Sequence, residues 1–83
     1  MNIQQEVLAL LDEILSLKGR AAGFTSETAL LGAIPELDSM AVVGVLTALE
    51  ERFGFTVEDD EIDGSTFATV GSLVGFVESK LTG

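Results

Sequence analysis

The sequence contains no cysteine and no histidine. The first absence excludes disulfides, thiolate metal sites and a cysteine nucleophile. The second removes the commonest general base and the commonest metal ligand. Tryptophan and tyrosine are missing as well, and four bases (Lys18, Arg20, Arg52, Lys80) stand against 14 acids. The resulting formal charge of −10 makes nucleic acid and anionic lipid poor partners and basic protein surfaces good ones. Uninterrupted apolar runs are only a few residues long, far below the ~20 that a membrane span needs. Met1-Asn2-Ile3-Gln4-Gln5-Glu6 has no positive region leading into an apolar run, so no secretory leader is expected. The expectation is a cytoplasmic monomer with no membrane span.

What is present suits a small globule. A length of 83 residues fits one domain over residues 1–83, and 47% hydrophobic against 22% charged residues is not the balance of a disordered tail. With no covalent or metal staple, packing alone must hold the fold.

Asn2, with Gln5 three residues on, predicts a helix start. Ile3, Val7, Leu11, Ile14 and Lys18 then fall at helical spacing, and Leu8, Leu10, Leu15 and Leu17 widen the stripe. This predicts a helix over 3–18, ~24 Å long, stopped by Gly19. Residues 19–37 carry Gly19, Gly23, Gly32 and Pro35, but also Phe24, Leu30, Leu31, Ile34 and Leu37. A free linker has no use for those apolar residues, so the segment reads as a long ordered loop packed on the core.

Asp38 is placed to cap a second helix. Met40, Val43, Leu46, Leu49 and Phe53 share one face of it, Val42 and Val45 flank them, and Gly54 closes the run. Gly44 costs ~1 kcal/mol relative to Ala inside a helix, which predicts a close approach there by another backbone or a ligand. After the acids Glu58-Asp59-Asp60-Glu61, residues 65–68 predict one helical turn anchored by Ile62 and Phe67. Thr69 then caps a last helix carrying Val70, Leu73, Val74, Val77 and Leu81. No segment alternates for long enough to make a strand. The expected class is all-α: a small four-helix bundle of three amphipathic helices and one short helix, with a long ordered loop between the first two.

Asp59, Glu61, Asp63 and Gly64 resemble the opening of a calcium loop, but Val70 occupies the place of the bidentate glutamate. No metal site is expected. The acidity is local: residues 36–63 hold nine acids against one base, Arg52, which is −8 of the −10. Inside that stretch lies Asp38-Ser39-Met40. A serine opening a helix is ordinarily a helix residue and nothing more. Catalysis by Ser39 lacks a base, since no histidine exists and the four cationic residues are remote in sequence. Its position suits a different task. A helix N-terminus offers unpaired N–H groups and a partial positive charge, which favour an attached phosphate.

The order of these features resembles the acyl carrier protein family over essentially the whole chain. An apolar helix and a loop with Leu31-Gly32 lead to Asp38-Ser39-Met40. A helix ending Ala48-Leu49-Glu50-Glu51-Arg52-Phe53-Gly54 follows, then an acidic turn, Phe67-Ala68-Thr69-Val70 and a final helix. The resemblance implies a carrier and not an enzyme. Ser39 matches the serine that is esterified with 4'-phosphopantetheine from coenzyme A, whose thiol holds acyl groups as thioesters. Asp38 matches the acid before it, also the helix cap, and Met40 takes the usual leucine position. Glu50 and Glu51 match an acidic pair that meets basic partner surfaces, and Met40 and Val43 are candidates for apolar contact in a docking groove.

The implied partners are a phosphopantetheinyl transferase, which supplies the base and Mg²⁺, and an acyl-activating ligase, ketosynthase or acyltransferase of fatty acid, polyketide or specialised acyl metabolism. Asp at position 38 leans toward acyl and away from peptidyl carriers. Two departures point from the housekeeping fatty-acid carrier toward specialised carriers that accompany acyl-activating ligases. Ala41 and Gly44 stand where acids are common, and Gly32-Ala33-Ile34-Pro35-Glu36-Leu37 replaces a shorter stretch. Gly44 and Ala48 either leave room for an acyl chain between the helices or permit close helix packing. A peptidyl carrier domain and an unmodified acidic helical adaptor are the other readings.

Overall fold

The computed structural model describes residues 2–82, so Met1 and Gly83, the ends of the expected domain, lie outside the described residues. It contains three α-helices: α1 (Ile3–Leu15), α2 (Ser39–Phe53) and α3 (Val70–Thr82). Short 3-10 turns lie at Arg20–Gly23 and Asp59–Glu61. Among the described residues no strand forms, although an isolated antiparallel bridge joins Ala29 to Thr69. The all-α class is as expected.

α1 starts where the cap predicts: the Gln5 N–H donates to Asn2 Oδ1 at 3.0 Å. It ends three residues short of the expected 18. Ser16 takes the left-handed conformation at φ 54°, and the Leu17 N–H reaches back to the Asp12 carbonyl at 2.9 Å. The Asp12 carboxylate then accepts from the Gly19 and Ala21 N–H groups at 3.1 and 3.2 Å. One side chain thus supplies acceptors that turn the chain, a local competition with helix continuation that hydrophobic spacing does not register. Leu17 is fully buried from outside the helix, whereas Ile14, expected in the core, is exposed.

α2 runs antiparallel to α1. Arg52 near its end donates Nε–H to Glu6 Oε1 at 2.8 Å, and Gly44 at its middle faces Ile14. A Cβ at position 44 would lie 3.8 Å from Ile14 Cγ2, an ordinary contact, so the expected close approach at Gly44 is corrected. The buried face is also rotated from the expected one. Val45 and Leu49 are fully buried, while Met40 and Val43 are 81% and 63% exposed. α2 and α3 each pack chiefly against α1, so α1 decides which face of α2 turns inward.

The expected helical turn at 65–68 is an irregular turn instead. The Thr66 and Ala68 N–H groups donate to the Asp63 and Ser65 carbonyls at 3.1 and 3.3 Å. Asp63 Oδ1 accepts from the Ser65 and Thr66 N–H groups at 2.9 and 3.3 Å, giving a side-chain-stabilised turn that does not propagate into a helix. The short helix falls earlier, at Asp59–Glu61. Phe67 is buried as expected. Thr69 and Ser72 cap α3 reciprocally, the Ser72 N–H donating to Thr69 Oγ1 at 3.1 Å and the Thr69 N–H to Ser72 Oγ at 3.0 Å. Val70, Leu73, Val74 and Val77 face the core, and Leu81 is exposed.

The long loop is ordered, for two reasons. Leu30, Ile34 and Leu37 are buried, and the backbone pairs with the entry to α3. The Leu30, Leu31, Val70 and Gly71 N–H groups donate to the carbonyls of Ala68, Phe67, Thr28 and Ser26 at 2.8–3.0 Å. Arg20 pairs with Glu36, tying the first 3-10 turn to the approach to α2.

Candidate functional site

The first turn of α2 is organised by Asp38. Its Oδ1 accepts from the Ala41 N–H at 2.8 Å, and its carbonyl accepts the first helical bond from Val42 at 2.9 Å. Ser39, the first helical residue, is exposed, as are Asp38 and Met40. The serine hydroxyl is therefore presented at a helix N-terminus, where backbone N–H groups and the helix dipole favour negative charge.

Positions 39, 43, 46, 47 and 50 follow the i, i+4, i+7, i+8, i+11 spacing of a single helix face. The lower part of this face borders an open cleft of about 290 Å³. Val43, Leu46, Thr47 and Glu50 of α2 form one side, and Val57, Glu58 and Ile62 form the other. The cleft exists because no second helix seals this face of α2, its main helical contact being α1.

The wall opposite α2 is held by carboxylates. The Val57 N–H donates to Glu50 Oε2 at 2.7 Å, and the next amide, Glu58 N–H, donates to Glu61 Oε2 at 2.7 Å. Lys80 of α3 donates from Nζ to Glu61 Oε1 at 2.7 Å. The Glu58 amide and, after it, the Lys80 ammonium hold the Glu61 carboxyl below the ordinary glutamate value. Elsewhere, its own backbone N–H and then Arg20 lower Glu36, and the Ser65 hydroxyl and amide lower Asp63.

The structure brings Ser39, Asp38, Met40 and Val43 together but separates the two glutamates. Glu50 is half-buried on the cleft. Glu51 is exposed on the opposite flank, beside Leu10, Glu13 and Ala48. Adjacent helical residues point about 100° apart, so the two cannot serve one patch equally. The cleft wall and the Lys80–Glu61 pair escaped sequence reasoning. A lone lysine late in an amphipathic helix is a weak signal, because its partner is 19 residues away and is brought to it only by the fold.

Of the calcium-like residues, Glu61 and Asp63 are engaged within their own loop and by Lys80, and the side chain of Asp59 lies outside the described residues. Among the described residues no group of three or more acidic side chains is arranged to hold a metal ion. No described helix is long and apolar enough to cross a membrane.

Comparison with known proteins bears on this arrangement. A family model described as "Phosphopantetheine attachment site" matches residues 5–77. A curated acyl carrier protein from Exiguobacterium sp. (strain ATCC BAA-1283 / AT1b) is 41% identical over 44 residues. That match covers 53% of each chain, so the chain spans about half the length of this curated relative. The fold is similar to a solution NMR structure of a holo acyl carrier protein from Nitrosomonas europaea. The TM-score is 0.92 and the identity 53%, over 100% of both chains.

Proposed function

The chain belongs to the phosphopantetheine-attachment family, and on that premise we propose that it is an acyl carrier whose 4'-phosphopantetheine is esterified to Ser39. The observation that carries this reading is the presentation of Ser39. Its side chain is exposed at the first position of α2, while the neighbouring Asp38 completes the cap. These residues fit a phosphodiester, since a helix N-terminus favours an anion. When bound, the group supplies a thiol that carries acyl groups as thioesters. The chain, with no cysteine, has no thiol of its own.

The remaining work of this chain is presentation. A separate transferase joins Ser39 Oγ to the pantetheine-bearing phosphorus of the coenzyme A pyrophosphate. The bond from that phosphorus to the adenosine bisphosphate half breaks, and the transferase's base takes the hydroxyl proton. Met40 and Val43, exposed beside Ser39, offer apolar contact to this enzyme and to acyl-activating or condensing partners. Asp38 and Glu51 add charge that orients a basic partner more than it tightens the complex. The cleft along α2 shares a face with Ser39, and its Val43, Leu46, Val57 and Ile62 side chains offer apolar contact to a carried chain beside the polar Thr47, Glu50 and Glu58. A cytoplasmic location and a monomeric state complete the reading.

Intact-mass measurement tests it. Apo-protein incubated with coenzyme A, Mg²⁺ and a broad-specificity transferase gains one phosphopantetheine mass, and Ser39→Ala gains none. No increment on the wild-type chain removes the carrier reading in favour of an unmodified adaptor. An increment that survives Ser39→Ala moves the site.

A further inference from the structure

Two consecutive backbone amides in the cleft wall are held by carboxylates, one from α2 and one from within the wall itself. The Val57 N–H is held by Glu50 of α2 at 2.7 Å, and the Glu58 N–H by Glu61 at 2.7 Å. Glu61 is in turn held by Lys80 of α3 at 2.7 Å. The wall therefore has one tether to α2 and, through Glu61, one to α3. The two tethers differ in kind. Glu50 lies on the cleft and acts directly, while Lys80 acts only through Glu61, whose two oxygens divide between the Glu58 amide and the ammonium.

Resting on the carrier reading above, we propose that Lys80 and Glu61 are positioning residues that set how closely the wall of residues 57–62 approaches α2, and so how well a chain carried at Ser39 is sheltered. Val57 and Ile62 project from this wall into the same cleft as Val43 and Leu46. Displacing the wall removes half of the apolar lining at once. Its ends are fixed by Phe55, stacked on Phe53, and by Ile62, both packed against the core, and the stretch between them is irregular. Residues 55–58 form no regular element, and Asp59–Glu61 is a single 3-10 turn. Isolated short turns of this kind open at low free-energy cost, so a clasp at their centre governs their position. The pair is only partly exposed, at 23% for the lysine side chain and 33% for the glutamate, and is screened less than a fully solvated one.

The test uses the intact chain in two states. In the apo-protein, amide hydrogen exchange at Val57 and Glu58 is compared between wild type, Lys80→Met and Lys80→Arg. Exchange at Glu58 rises in Lys80→Met and is near wild type in Lys80→Arg, with α1 amides unchanged. In the loaded protein, cleavage of octanoyl and acetyl thioesters by hydroxylamine is compared. The wild-type chain protects the octanoyl thioester relative to the acetyl one, Lys80→Met brings the ratio to unity, and Lys80→Arg restores it. Glu61→Gln gives an independent version of the same loss if Lys80→Met fails to fold. A ratio unchanged in Lys80→Met, or a wild-type ratio already at unity, overturns the proposal while leaving the carrier reading intact. Failure of Ser39 to load overturns the carrier reading itself.

Discussion

The Ser26 carbonyl oxygen accepts a hydrogen bond from the Gly71 N–H at 2.8 Å, and a Cβ added at position 71 would lie 2.9 Å from that same oxygen. Two backbones meet here with no room for a side chain. The contact joins the long loop to the first turn of α3, and neither partner is a flexible side-chain end that can move aside. Gly71→Ala is therefore expected to destabilise the fold by about 1–3 kcal/mol, the usual cost of overpacking, despite the higher helix propensity of alanine. A chemical-denaturation midpoint at or above wild type would show that the loop yields. Gly44→Ala is the contrasting control. Its Cβ meets only Ile14 at 3.8 Å, and removing a mid-helix glycine is expected to stabilise by up to ~1 kcal/mol.

Asp38 caps α2 through Oδ1. Asp38→Ala is expected to cost about 0.5–2 kcal/mol, whereas Asp38→Asn retains an acceptor and loses little. If the two variants melt together, the cap contributes nothing beyond charge.

Glu50 and Glu51 are predicted to behave differently on reversal, because only Glu50 holds a backbone amide. Glu51→Lys slows loading by a transferase at low salt, and the defect shrinks as salt rises, since exposed charges are screened. Glu50→Lys gives a defect that persists at high salt, because the Val57 amide has lost its acceptor. Loading rates at two ionic strengths separate the outcomes. Equal salt dependence for both variants would mean that Glu50 also acts as a docking charge.

The Lys80–Glu61 pair has a pH signature with a definite sign. The folded-state glutamate titrates below its ordinary value of 4.5, first through the Glu58 amide and then through Lys80. A depressed carboxyl stabilises the fold above its unfolded value and loses that contribution as pH falls through the folded one. The clasp is thus intact at neutral pH and is released only below about 4.5. Lys80→Met is expected to move the Glu61 midpoint upward in a carboxyl-carbon NMR titration, and a midpoint that stays in place would show that the amide alone sets it.

Much of the fold was legible because caps and stops are local chemistry. Asn2, Asp38, Thr69 and Gly54 mark their helix ends correctly, each through one side chain or one left-handed residue. The end of α1 was not legible, because Asp12 closes it with bonds to residues seven and nine positions on, outside any helical repeat. The buried face of α2 was misjudged for a different reason. Val42, Val43, Val45 and Leu46 are apolar on several sides, so periodicity alone cannot choose, and packing against α1 decides. At the site, the place of Ser39 at the opening of a capped helix was legible from Asp38-Ser39-Met40, but the cleft was not. Its far wall comes from residues 57–62, which carry no periodic pattern and are placed by tertiary bonds.

Glu6 at the start of α1 holds Arg52 at the end of α2, and Asn2, Ile3 and Gln4 border Val74 and Glu78 of α3. Both ends of the described chain thus gather at one pole, and Ser39 stands at the other, about 20 Å away along α2. A fluorophore, bead or surface linker fixed to either end sits behind the molecule. A layer of such molecules grafted by their tails turns every Ser39 outward, and one grafted through Ser39 buries it.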